Sequence, residues 1–126
     1  MFATLETQRL ILRVPNESDF MSYRSFFQNP SLSLFYGGPL NEQDTWKQLA
    51  QDIGHWHLKG YGMWSIIRKS DSSMIGGCGY WWPNGWPRPE LSWWLTGEGQ
   101  GCGYASEASA VVIDFGYDQL QPRFDD

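Results

Sequence analysis

Apolar and polar positions along the chain switch between a two-residue and a helical repeat. Leu10, Leu12 and Val14 alternate with Ile11 and Arg13, the pattern of a short strand. Pro15 stops it, and Asn16-Glu17-Ser18-Asp19 has the form of a helix start, a capping residue followed three positions on by an acid. Phe20, Tyr23 and Phe27 then fall at i, i+3 and i+7, one stripe of a helix that ends before Asn29-Pro30. After the Gly37-Gly38-Pro39 turn, Asn41 can cap a second helix, with Glu42 and Asp44 facing the positive end of its dipole. Trp46, Leu49, Ala50, Ile53 and His57 predict its apolar stripe, and Gly60 and Gly62 finish it.

The middle of the chain reads as strands. Met63 to Arg68 is rich in β-formers, Ser70-Asp71-Ser72-Ser73 is a turn, and Met74 to Trp82 is apolar throughout, as a central strand covered on both faces would be. The two predict a hairpin. Pro83 to Pro89 is a stiff loop. Glu90 to Leu95 follows as a strand, with Leu91, Trp93 and Leu95 on one side and Glu90, Ser92 and Trp94 on the other. A glycine-rich stretch from Thr96 to Gly103 opens a third helix, whose buried stripe is Ala105, Ala108, Val112 and Phe115. Gln119 to Asp126 has no clear period. The order β-α-α-β-β-β-α predicts an α+β fold, an antiparallel sheet with helices packed on it.

A length of 126 residues fits one domain spanning 1–126. With 14 acidic against 9 basic side chains the net charge is −5, which argues against a non-specific nucleic-acid binder. No apolar run reaches the roughly 18 residues of a membrane span. Met1 to Val14 mixes Glu6, Arg9 and Arg13 among its apolar residues, unlike a secretory signal. Two cysteines, Cys78 and Cys102, are too few for a disulfide framework. These bounds predict a cytoplasmic protein. Aromatic residues make up 17 % of the chain, read first as a small core filled by large rings and second as an aromatic pocket or sugar-binding face.

The chemistry concentrates at Leu95-Thr96-Gly97-Glu98-Gly99-Gln100-Gly101-Cys102-Gly103-Tyr104-Ala105. A strand delivers the chain into a glycine-rich turn and a helix begins at once. Small residues let the main chain approach a ligand, and the free N–H groups of the first helical turn make an anion site. No Gly-Lys-Ser/Thr follows, and the dinucleotide fingerprint is out of register, so neither a Walker loop nor a Rossmann turn fits. By themselves, glycines before a helix are a weak signal.

Gln100-Gly101-Cys102-Gly103-Tyr104-Ala105 resembles the Gln/Arg-x-x-Gly-x-Gly/Ala motif of the GCN5-related N-acetyltransferases (GNAT), which binds the pyrophosphate of acetyl-coenzyme A. Gly103 to Ala108 and the entry Thr7-Gln8-Arg9-Leu10-Ile11-Leu12-Arg13 resemble the RimJ/RimL-like, ribosomal-protein alanine acetyltransferase branch. The resemblance covers roughly residues 5 to 118. It implies a GNAT-type mixed, mostly antiparallel sheet flanked by helices and acetyl transfer from acetyl-coenzyme A to a primary amine. The acceptor it implies is a protein N-terminus or a small-molecule amine. It implies that the amides of Gly101, Cys102, Gly103, Tyr104 and Ala105, with Gln100, bind the pyrophosphate, and that Trp94, Leu95 and Thr96 pair with the pantetheine arm. Glu90 stands about where several members place a base acting through water, and Trp81, Trp82, Trp93 and Trp94 would give it an apolar setting. The alternative is a surface Glu at a strand entrance.

His55 and His57 point about 200° apart on a helix and make poor joint ligands, so no metal is expected. His57 is expected to pack near Trp46 and Ile53, Glu107 and Asp114 to face solvent or cap a helix, Cys102 to be a small spacer and Cys78 to lie in the core. Phe35, Tyr36, Trp56 and Trp86 are candidate acceptor-pocket residues; Arg88 fits an acidic substrate, a coenzyme phosphate or plain solvent. Family domains continue with a further strand, helix and strand pair, whereas Gln119 to Asp126 carries Pro122 and terminal acids. The expectation is a truncated product or a homodimer that completes the sheet, with no general acid to assign. Two other readings stand beside acetyl transfer: a non-catalytic aromatic-rich binding module and an inactive GNAT-like interaction subunit.

Overall fold

The computed structural model describes residues 2–121. The expected order is present with one strand added in front: β1 (Leu5–Glu6), β2 (Leu10–Arg13), α1 (Phe20–Phe27), α2 (Glu42–Lys59), β3 (Met63–Arg68), β4 (Ser73–Trp81), β5 (Glu90–Leu95) and α3 (Tyr104–Phe115). At two residues, β1 is too short to carry a period; it exists by pairing Leu5 with Leu12 and Glu6 with Ile11. The sheet runs β1-β2-β3-β4-β5 and every neighbouring pair is antiparallel. The parallel component of the expected mixed sheet is thus not among the described residues. The expectations for residues 122–126 lie outside them.

The local signals hold where a side chain closes a terminus. Asn16 and Asp19 form a reciprocal capping box ahead of α1, Asn41 accepts from the Asp44 amide at the start of α2, and Gly60 ends α2 in the left-handed region at φ 80°. The stripe of α2 is rotated from expectation. Its buried residues are Thr45, Leu49, Asp52, His55 and Trp56, while Trp46 is 56 % exposed and His57 is exposed, touching Phe2 edge-on rather than Trp46. Polar residues take inward positions because each is satisfied there: Thr45 donates to the Asn41 carbonyl, and Asp52 accepts from Tyr23 and Gln48. In α1 the buried trio is Tyr23, Phe26 and Phe27, with Phe20 only partly covered. In α3 Tyr104, Ala108 and Val112 are buried and Ala105 and Phe115 are partly so.

The sheet carries a core on each face. On one, Leu10, Leu12, Trp64, Ile66, Ile75 and Cys78 meet Ala108 and Val112 of α3, and Trp56 closes that cluster from α2. On the other, Met63 and Trp94 meet Tyr23, Phe26 and Phe27 of α1 and Leu49 of α2. The register between β3 and β4 steps from Ile66↔Gly76 to Ile67↔Met74, which leaves Ile75 as an extra residue. This bulge turns Ile75 into the α3-side core, and its carbonyl accepts from the Thr96 amide just past β5. Gly77 then leaves room for the Trp94 indole, whose ring would lie 2.6 Å from a Cβ placed there. Trp93, expected beside Leu91 and Leu95, is 47 % exposed and stays outside the core cluster that takes those two.

Two buried carboxylates stand in opposite circumstances. Asp19, 1 % exposed, takes both Arg13 nitrogens at 2.7 and 3.0 Å, the Ser65 hydroxyl at 2.7 Å and the Asn16 amide at 3.1 Å. Asp52 has two neutral donors and no cation, and desolvation pushes it up from 3.8 to about 7 against the pull of Tyr23 and Gln48. Asp19→Ala strands the Arg13 guanidinium and is expected to cost on the order of 3 kcal/mol in urea unfolding; a loss under about 1 kcal/mol would show the pair to be dispensable. For Asp52 the native carboxyl holds a proton between about pH 4 and 7 that the unfolded chain has released. Its contribution is therefore full below pH 4 and lost as pH rises to 7, by on the order of a few kcal/mol. Urea curves of the protein and its Asp52→Asn variant should diverge over that window, the variant becoming the more stable; parallel curves would place the proton elsewhere.

Candidate active site

The turn after β5 is built to hold its main chain outward. Thr96 is buried and its amide is bonded to Ile75, a single 3₁₀ turn covers Gly97–Gly99, and the Gln100 side-chain amide reaches back to donate to the Leu95 carbonyl at 3.0 Å. Gly101 and Gly103 adopt φ 78° and 79°, a conformation that strains any other residue. Gly103 is the N-cap of α3 and supplies no side chain to it, so the first-turn amides of α3 have neither an intrahelical nor a capping partner. Gly101, Cys102 and Gly103 are exposed, and Tyr104 turns into the core. An exposed run of amides at a helix start binds an anion.

Glu107 fixes this helix start to the front of the sheet. It accepts from the Thr7 hydroxyl, the Arg9 amide at 3.0 Å and the Arg9 Nε at 2.7 Å. Desolvation raises its carboxyl, but those three donors together hold it below the ordinary carboxylate range. Expected to face solvent or cap a helix, Glu107 is instead a tie between elements distant in sequence. Arg9 also lies 4.4 Å from the Tyr104 ring centroid, and Arg68, held bidentately by Asp71, reaches the Glu98 carbonyl at 3.5 Å. Two guanidinium groups thus flank the turn. The entry signature gains physical roles: Thr7 and Arg9 brace α3, Leu10 and Leu12 fill the core, and Arg13 holds Asp19.

The second part of the site is a cavity of about 470 Å³ between α1, α2 and the β4–β5 ribbon. Phe35, Tyr36, Trp81 and Trp86 line it with Asp52 and Glu90. Three of the four aromatic residues expected at an acceptor pocket are therefore there. Trp56 is the exception: it is 1 % exposed and donates to the Met63 carbonyl in the core. The Gln100–Ala105 turn does not line the cavity; β5 joins the two, with Glu90, Ser92 and Trp94 on the cavity wall and Leu95 at the entrance to the turn. On its outer side β5 has no strand partner among the described residues.

Glu90 is exposed at the cavity rim opposite Trp81, so the apolar enclosure expected for it does not form: Trp94 points into the α1 core and Trp93 to the other face. Asp52, not singled out by the sequence, is the desolvated carboxylate of this cavity. A search for apolar spacing passes over it. His55 donates from Nδ1 to the Tyr61 carbonyl at 2.8 Å, accepts at Nε2 from the Trp82 amide at 2.9 Å, and stacks on Trp81 at 4.5 Å. Burial lowers its pKa, and with both nitrogens engaged it serves as a neutral strut rather than a ligand. No helix among the described residues is long and apolar enough to cross a membrane.

This arrangement has relatives. The chain is 34 % identical to an acetyltransferase of Agrobacterium tumefaciens whose structure superimposes with a TM-score of 0.86, covering 95 % of this chain and 70 % of that one. It is 30 % identical over 122 residues to an uncharacterized N-acetyltransferase, p20, of Bacillus licheniformis, spanning 93 % of this chain and 67 % of the relative. At 21 % identity and a TM-score of 0.65 it shares the fold of a ribosomal-protein-S5-alanine acetyltransferase from Vibrio fischeri, over 91 % of this chain and 67 % of that one. A family model described as an acetyltransferase (GNAT) domain matches residues 9–124, and on that match the chain belongs to the GNAT acetyltransferases.

Proposed function

We propose that this acetyltransferase moves the acetyl group of acetyl-coenzyme A directly onto a primary amine, in the cytoplasm and without a metal. The observation that carries the reading is the course of β5, which runs from the rim of an aromatic cavity to the glycine turn and the uncapped start of α3. A coenzyme laid along it meets the amides of Gly101 to Ala105 with its pyrophosphate, while Gln100 keeps the turn closed on Leu95. The free edge at Trp94, Leu95 and Thr96 pairs with the pantetheine amides as an added strand would.

The acceptor enters from the cavity. Its ammonium loses a proton through water to Glu90, the amine lone pair forms the N–C bond at the acetyl carbonyl, and the C–S bond breaks to release the thiolate, which takes the nitrogen's second proton. A main-chain N–H at the β5 edge stabilises the oxyanion between those steps. Homodimer formation across the same edge would compete with the pantetheine, so the coenzyme-bound form in this reading keeps β5 free of a second copy.

Cys102 reports on the turn without relying on turnover. It is exposed, whereas Cys78 is buried, with its thiol pushed up to about 12 by desolvation. A thiol reagent should therefore label Cys102 alone, and saturating acetyl-coenzyme A should slow that labelling at least about tenfold. Unchanged labelling of a folded sample would overturn the coenzyme site. Glu90→Gln should lower kcat by on the order of a hundredfold while the coenzyme still protects Cys102; unchanged kcat would return Glu90 to a surface role.

A further inference from the structure

The cavity wall carries a charge that acetyl transfer, as derived above, does not use. Asp52 is 2 % exposed, lines the cavity, and accepts from the Tyr23 hydroxyl and from Gln48 Nε2 at 3.1 Å. Each carboxylate oxygen keeps a lone pair for a second donor. Among the described residues no Lys or Arg pairs with it: Arg13 is taken by Asp19, Arg24 by Glu42, Arg68 by Asp71 and Lys69 by Glu6. A buried carboxylate without a counter-charge is costly to keep, and one facing a ligand cavity leaves the cation to be supplied by the ligand. Tyr36, Trp81 and Trp86 add aromatic surface on the same walls, which attracts a cation.

Resting on the acetyl-transfer reading, we propose that this cavity selects a small dicationic acceptor, one amine reacting at β5 while a second cationic group is held by Asp52 among the rings. The two groups have to be different. A carboxylate paired with an ammonium keeps the proton on nitrogen, and a protonated amine has no lone pair with which to attack. The reacting amine therefore lies at the exposed Glu90 rim, where a proton can leave to water, and the held group lies at the buried carboxylate. A volume of about 470 Å³ suits a small molecule, with a short apolar linker between the charges against the rings. The class is an α,ω-diamine or a compound of similar charge spacing.

Binding is also linked to pH. Because burial lifts Asp52 to about 7, a cation there has to draw the proton off, and affinity falls as pH drops below 7. The other titratable or charged groups near it do not substitute for it. Tyr23 on α1 is raised well above its ordinary range by desolvation and then by Asp52 itself; Asp19, which acts on Tyr23, is tied to Arg13. His55 on α2 is held neutral between two hydrogen bonds, Glu90 on β5 is exposed, and Met63 of β3 and Trp81 of β4 carry no charge.

The test is direct binding to the free chain, read by calorimetry or tryptophan fluorescence, using α,ω-diamines from 1,3-diaminopropane to 1,8-diaminooctane against monoamines of the same length. The best diamine should bind at least tenfold tighter than its monoamine at pH 8, and that ratio should shrink towards one at pH 5.5. Asp52→Asn, which keeps an oxygen for Tyr23, should reduce the ratio to near one at pH 8 with Cys102 still protected by acetyl-coenzyme A. Equal binding of diamines and monoamines by the unaltered chain overturns the proposal, as does a folded Asp52→Asn variant that keeps the preference. Diamine preference without coenzyme protection of Cys102 would sink the acetyl-transfer reading and leave the dication site standing.

Discussion

The site depends on the placement of one indole. Among the described residues β5 is an edge strand, paired on one side only, and an edge strand needs side chains to keep its register. Trp94 does this. Its ring packs over Gly77 of β4 and touches Tyr23, Phe26 and Phe27 of α1 at centroid distances of 5.1, 4.8 and 5.2 Å. Leu95, next along, faces the opposite core. Consecutive residues are thus gripped from both faces where the chain leaves for the glycine turn. A buried indole removes some 150–250 Å² from water, enough for this one side chain to set where the cavity wall ends and the turn begins.

What a sequence states about such a site follows from how local each interaction is. Asn16, Asn41 and Gly60 act within a few residues and are legible, as are β2, β3, β4 and β5, whose apolar runs or alternation are written in consecutive letters; two-residue β1 is not. The glycine turn is legible for the same reason. The Thr7–Arg9–Glu107 tie spans about a hundred residues and has no local pattern, so Glu107 reads as an ordinary helix-surface acid. Asp52 is hidden more deeply. It occupies an inward position of α2 that spacing arguments reserve for apolar side chains, while Trp46, which those arguments place inside, lies out in solvent. Counting apolar letters identifies the helix; deciding which face is buried requires knowing which polar groups find partners.

The two buried aspartates show how the fold treats such partners. Asp19 brings β2, β3 and the start of α1 together through three donor groups, one of them a bidentate guanidinium, so its charge is matched within the chain. Asp52 receives only neutral donors. A carboxylate left that way destabilises the native state in its ionised form, and among the described residues no cation offsets it. The unmatched charge belongs to what the cavity receives.

Charge also sorts the two ligands of the proposed reaction. The turn after β5 lies between Arg9 and Arg68, beside the uncapped amides of α3, whereas the cavity at the other end of the strand presents Asp52 and Glu90. In that reaction an anionic coenzyme at the α3 amides and a cationic acceptor at the carboxylates occupy opposite ends of a six-residue strand in a chain whose net charge is −5. Uniform negative charge would steer the acceptor and repel the coenzyme. Each guanidinium at the turn is paired with a carboxylate, Arg9 with Glu107 and Arg68 with Asp71, so attraction for phosphate there rests on the uncapped α3 amides and is short-ranged. The reacting atoms then meet between the two fields, on the backbone that Trp94 holds in place.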